Sequence, residues 1–210
     1  TYVVNAARAY LQLNEPQDAL RTVDRGLAVF PEAANLWSEK GTIHNRLQQT
    51  DEAVAALERA MEINPELPNV RARMGNYLVQ AGRLNDGLPY LRQAIQAGEQ
   101  TADQVATTIF ADAHSNGIRD NQDLEYGIQQ IELAKNEFEV STELRQQLDF
   151  WHGYAIFQQA IRRQEPGTVQ SAQATRPQFV RAKELLQAGQ PYVQRTGVIA
   201  NFNEFIGNVD

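Results

Sequence analysis

No cysteine occurs in the 210 residues, so neither a disulfide framework nor a thiolate metal site can brace this chain, and the absence says little about compartment. Long apolar runs are missing too: nothing approaches the roughly 20 residues that a membrane helix requires, and insertion into a membrane is not expected. Basic charge is in deficit. Lys and Arg number 19 against 26 Asp and Glu, giving a net charge of −7 that divides as −2 over residues 1–100 and −5 over 101–210. Nucleic acid, whose phosphates need clustered Lys and Arg, is therefore not an expected partner. The three histidines, His44, His114 and His152, stand far apart and none belongs to an H-E-x-x-H spacing. Gly82, Gly87 and Gly98 fit helix ends and packing positions, so no phosphate-cradling loop is present. No nucleophile, base and oxyanion set emerges, and neither a metal nor a cofactor is expected.

What the chain does have is a period. Trp37, Gly41, His44, Ala53, Leu57, Ala60 and Pro65 share a register that returns 34 residues later as Arg71, Met74, Gly75, Leu78, Gly87, Leu91 and Ala94. One period earlier it reads Val3, Ala6, Ala7, Tyr10, Ala19, Val23, Gly26 and Pro31. Small residues return where small residues stood, and large apolar ones likewise. In each unit an apolar stripe of helical period is followed by a short turn and a second stripe. Asn14-Glu15-Pro16 separates the first pair, with Pro16 suited to a first helical position. Gly82 suits a left-handed helix end, and Asn85 or Asp86 a following N-cap that would leave Pro89 in the first turn. Gly41 and Gly75, faced by Ala53 and Gly87, mark close crossings of paired helices.

A 34-residue period of these residue types resembles the tetratricopeptide repeat family. The resemblance implies an all-α, right-handed superhelical solenoid of antiparallel helix pairs, with a C-terminal half that is divergent and has longer helices. Three regular units are expected over 1–101 (1–33, 34–67 and 68–101). An enlarged, divergent helix pair follows at 102–140, then a long-helix pair at 141–197 whose 165–177 stretch, rich in Gln, Ser, Thr and Ala, reads as a mobile loop. Residues 198–210 read as a terminal capping helix striped by Val198, Ile199, Phe202, Phe205, Ile206 and Val209. Beginning at Thr1, one residue inside a repeat, the sequence reads as an excised piece of a longer protein.

In that family the first helix of each unit lines a concave groove. The corresponding positions are Val4, Arg8, Leu11 and Gln12; then Asn35, Ser38, Thr42, Asn45 and Arg46; then Asn69, Ala72, Asn76, Val79 and Gln80, with Arg73 at the margin. Asp103, Ala106 and Phe110 continue the row. Amides recur along it and acidic residues are nearly absent, which suits a peptide backbone that both donates and accepts. The groove residues expected to matter are Arg8, Asn35, Ser38, Thr42, Asn45, Arg46, Asn69, Arg73, Asn76 and Gln80, the arginines favouring an acidic or carboxylate-bearing ligand. The carboxylate clamp of chaperone co-factors would fall on Val4, Arg8, Glu39, Asn69 and Arg73, of which only Arg73 agrees. The expected function is a non-catalytic scaffold that binds a protein or peptide. The alternatives are a structural spacer or self-association segment, and an enzyme site around His152 with Asp149, Trp151 and Tyr154.

Overall fold

The computed structural model describes residues 2–164, 169–199 and 207, and among these there are helices and no strand. The chain separates into two compact units, Thr1–Thr101 and Ala102–Asp210.

The first unit holds six helices, α1 Tyr2–Gln12, α2 Pro16–Val29, α3 Ala34–Arg46, α4 Thr50–Ile63, α5 Val70–Gln80 and α6 Leu84–Gln96, packed as the pairs α1/α2, α3/α4 and α5/α6. The 34-residue period reappears as bonding. Asn14, Gln48 and Gly82 all take positive φ, at 60, 60 and 72°, and the next residue's N–H closes each helix end onto Tyr10, His44 and Leu78 at 2.9, 2.9 and 2.8 Å. This is the left-handed helix stop in which a backbone donor satisfies an otherwise orphaned carbonyl. Likewise Trp37 Nε1 donates to the Pro31 carbonyl at 2.7 Å, and Arg71, one period on, donates to that of Pro65 at 3.1 Å.

Crossing distances show why small residues recur. A Cβ on Gly41 would lie 2.8 Å from Leu57 Cγ and 2.9 Å from the Ala53 carbonyl oxygen. On Gly75 it would meet Leu91 at 2.6 Å. Ala7, Ala19, Ala53, Ala60 and Ala94 are fully buried, and Leu57, Leu91, Val23 and Ile43 fill the space between. Glu99 stands where the first two repeats have Pro31 and Pro65. Its carboxylate accepts from Arg71 at 3.1 Å and from the Ala72 backbone N–H at 3.0 Å. It thereby supplies the N-terminal acceptor of α5 that Asn69, with no side-chain cap bond, does not. Helix α6 starts at Leu84, ahead of both expected caps, Asn85 and Asp86: Asp86 sits in its first turn, accepting from Arg83 Nε at 2.8 Å, and Pro89 lies beyond that turn on the exposed side.

The second unit contains α7 Ala102–Ala113, a π-helical turn His114–Ile118, a 3-10 turn Arg119–Asn121, then α8 Leu124–Glu137, α9 Thr142–Arg163, α10 Val169–Ala188 and α11 Gln190–Thr196. Ser141 caps α9 through its Oγ, 3.4 Å from the Leu144 N–H. Helix α9 is buried on two faces, Leu144, Leu148 and Ala155 on one and Phe150 and Phe157 on the other, with α8 and α10 packed against it, while Ile161 near its end is exposed. Gly153 lets α10 approach so closely that a Cβ would sit 2.8 Å from the Ala182 carbonyl.

Two C-terminal expectations change. The loop expected over 165–177 is helical from residue 169 onward, and 165–168 lie outside the described residues. The first half of α10 is largely exposed, so it shows no apolar stripe, while Ala and Gln favour helix and buried Thr175 bonds the Ser171 carbonyl at 3.0 Å. Pro177 is tolerated inside it at an exposed position. Of the terminal helix expected over 198–210, Val198 and Ile199 form a bend; apart from Gly207, the rest lies outside the described residues.

Candidate functional site

The inner faces of α1, α3 and α5 enclose three hollows that share lining residues. One, of about 350 Å³, is lined by Val4, Asn5, Arg8, Asn35, Ser38, Glu39, Leu67, Pro68, Asn69 and Arg73. The second, of about 320 Å³, has Arg8, Glu39 and Arg73 in common with it and adds Leu11, Gln12, Thr42 and Tyr77. Thr42 and Tyr77 pass into the third and largest, of about 730 Å³, with Asn45, Arg46, Gln48, Thr50, Gln80 and Ala81. Nine of the ten residues expected in the groove line these hollows. Asn76 does not: it is half-buried, and its side-chain oxygen is buried without a partner among the described residues.

Helix α3 is the axis of the site because both neighbours bond to it. From α1, Arg8 Nε reaches the two carboxylate oxygens of Glu39 at 3.2 and 3.1 Å, and Arg8 Nη2 reaches Oε2 at 3.0 Å. From α5, Arg73 donates to Ser38 Oγ at 2.8 Å and to Thr42 Oγ1 at 3.5 Å, and the Tyr77 hydroxyl to Thr42 Oγ1 at 3.4 Å. Glu39 is buried while the Arg8 side chain is 57% exposed, and the paired carboxylate raises the Arg8 pKa through its hydrogen bond and charge. The expectation of a groove nearly free of acidic residues is corrected here: Glu39 lies at its floor and occupies Arg8. Arg46 is exposed, and neither it nor Arg73 has a carboxylate partner among the described residues. Tyr77, Glu39, Leu67 and Pro68 were not expected to line the groove. Tyr77 stands one period after Ile43, which is fully buried, and its greater length carries a hydroxyl out to Thr42. The row's expected continuation in the second unit is not open, since Ala106 and Phe110 are buried.

His44, at the position where the family usually has Tyr, is half-buried and hydrogen-bonds Gln49 Oε1 through Nδ1 at 2.8 Å. His114, which opens the π-helical turn after α7, packs edge-on to Trp151 with centroids 4.7 Å apart, and burial lowers its pKa, with Arg119 adding to the effect. The site considered around His152 is closed. His152 is 3% exposed, and the partner of Asp149 is Lys135, in a tight ion pair; the Lys135 ammonium lies 3.3 Å from His152 Nδ1. Burial pulls the Lys135 pKa down, opposed by Asp149, and holds that of His152 at about 3 with help from Lys135 and Arg181. The unfolded imidazole, near 6.5, thus takes up its proton first as the pH falls. The His152 contribution to stability is whole above about pH 6.5 and is lost toward pH 3, at about 1.4 kcal/mol per unit. Between pH 6.5 and 4.5 the wild type is expected to lose roughly 2–3 kcal/mol more than a His152→Gln variant. Urea titrations at the two pH values measure this, and parallel losses would contradict it.

By fold the molecule is a helical-repeat scaffold. Residues 7–74 match the tetratricopeptide repeat family model, and the 34-residue bonding pattern of the first unit agrees with that match. Such repeats are in general protein-interaction scaffolds, and that is the class defined here. No curated protein matches the sequence. Among solved structures, MamA from Desulfovibrio magneticus RS-1 aligns over 89% of this chain and 94% of its own at 16% identity, with a TM-score of 0.51. A Podosopora anserina protein with nearly identical TPR-like repeats aligns over 93% and 95% at 16% identity, with a TM-score of 0.50. Likeness at this identity is likeness of fold. No described helix is long and apolar enough to cross a membrane.

Proposed function

We propose that the groove formed by α1, α3 and α5 binds an extended peptide or partner segment carrying acidic character. The observation that carries this reading is the continuity of the three hollows, joined through Arg8, Glu39 and Arg73 at one junction and through Thr42 and Tyr77 at the other. Amides at Asn5, Asn35, Asn69, Gln12, Asn45, Gln48 and Gln80 offer donors and acceptors to a ligand backbone. Arg46 and Arg73 leave positive charge there that no carboxylate among the described residues neutralises. Asn76 has no part in this reading.

Asn35 and Gln80 line opposite ends of the groove and are exposed, so Trp at both positions should obstruct it without touching the core. Nonapeptides selected on the full chain from an unbiased display library are expected to bind an N35W/Q80W variant at least about tenfold more weakly, the loss of one or two good contacts. Selected peptides that bind both proteins equally would place the binding surface elsewhere. A spacer or self-association segment would yield no groove-dependent peptides and a mass that grows with concentration in light scattering.

A further inference from the structure

We infer that Glu39 sets the charge the groove accepts: a single carboxylate, seated on Arg73, in preference to a dianionic group such as a phosphoryl. The inference rests on the groove being the binding site, and it concerns the junction that any segment running the groove must cross.

Three charged side chains meet at that junction, Arg8, Glu39 and Arg73, each lining both adjoining hollows. Arg8 and Glu39 cancel. Both Glu39 oxygens accept from Arg8, and the Glu39 side chain is only 5% exposed, so the pair is anchored in the floor and not merely draped on it. Arg73 is different in kind. Its partners are hydroxyls, Ser38 Oγ and Thr42 Oγ1, which orient the guanidinium and leave its charge intact. A guanidinium has five N–H donors and these two bonds engage one nitrogen, so an edge remains for a carboxylate. The junction therefore offers one net positive charge. A carboxylate neutralises it. A dianion would bring a second negative charge toward a buried carboxylate. Arg8 could answer it only by abandoning Glu39 inside the protein, the costly way to break a buried pair.

Removing the Glu39 charge reverses the selection. In Glu39→Gln the amide keeps an acceptor for Arg8 and the net charge at the junction rises to two, which suits a dianion. In Arg73→Met the Arg8–Glu39 pair is untouched and the seat for the carboxylate is gone.

The probes are the nonapeptides selected on the full chain and weakened by N35W/Q80W. In each, the acidic position most sensitive to exchange for the neutral amide is also replaced by phosphoserine, and the three versions are titrated calorimetrically at fixed ionic strength. On the wild type the acidic version should bind about tenfold tighter than its amide, and the phosphoserine version more weakly than the acidic one. On Glu39→Gln the phosphoserine version should gain about tenfold relative to the acidic one, and on Arg73→Met the preference for acid over amide should vanish. The inference is overturned by phosphoserine binding tighter than acid on the wild type, or by an acid preference that survives Arg73→Met. It also falls if Glu39→Gln shifts the acidic and phosphoserine versions equally, or if the groove-dependent peptides have no acid-sensitive position. In all four cases the groove remains the binding surface; in the last, the acidic character proposed for its ligand falls as well. Peptides indifferent to N35W/Q80W overturn both. Should Glu39→Gln fail to fold, as judged by circular dichroism, the wild-type and Arg73→Met arms still decide.

Discussion

Lys135→Met is expected to destabilise the second unit by about 3–5 kcal/mol, because it strands the Asp149 carboxylate without its ammonium. The Lys135 side chain is 6% exposed and that of Asp149 13%, so water has little access to a charge left behind. Lys135 also bonds His152 Nδ1, and the Lys135 carbonyl accepts from Arg145 at 3.0 Å, so α8 and α9 are joined at this point by side chain and main chain together. Removing both charges should behave differently. A Lys135→Met/Asp149→Leu double variant should recover most of the loss, since a buried ion pair contributes little over an apolar pair of similar size. Urea unfolding of the two single variants and the double variant gives the coupling directly. A Lys135→Met cost below about 1 kcal/mol would mean that Asp149 finds solvent after all.

The second large effect concerns Gly41, where two terms of opposite sign compete. Gly→Ala inside a helix ordinarily gains about 1 kcal/mol of helix propensity. Here the new Cβ would lie 2.9 Å from the backbone oxygen of Ala53, which cannot turn aside as a side chain can. Overpacking of this kind costs about 1–3 kcal/mol or more, so Gly41→Ala should destabilise and Gly41→Val should cost roughly 3 kcal/mol. Thermal or urea unfolding followed by far-UV circular dichroism decides the sign. A stabilised Gly41→Ala would show that α3 and α4 can part at little cost, against the account of why small residues recur.

The fold was legible where sequence and contact share one period. Gly41, Gly75, Ala53 and Gly87 announce crossings because a helix pair cannot close over a larger side chain, and each repeat needs the same closure. The turn was visible at Asn14-Glu15-Pro16 and at Gly82 but not at Gln48, a residue type that seldom takes the left-handed conformation it adopts there. The first half of helix α10 was hidden for a related reason: it is mostly exposed and so lacks the stripe by which helices are recognised. At the groove, position along the repeat located the hollows, but position carries no information about which polar side chains pair. Glu39 read only as a departure from a known clamp, and its bond to Arg8 spans 31 residues. Asp149 and His152 sit three apart on one helix face and looked like partners, yet Lys135 on α8 takes both.

The central claim is that the inner faces of α1, α3 and α5 receive the ligand. Its most direct test is backbone amide NMR of the full chain titrated with a nonapeptide selected on it. Shift changes should concentrate on lining residues such as Arg8, Ser38, Thr42, Asn45, Arg73 and Tyr77, leaving the outer helices α2, α6 and, beyond Thr50, α4 quiet. Changes confined to those outer helices or to the second unit, with the groove unmoved, would contradict it.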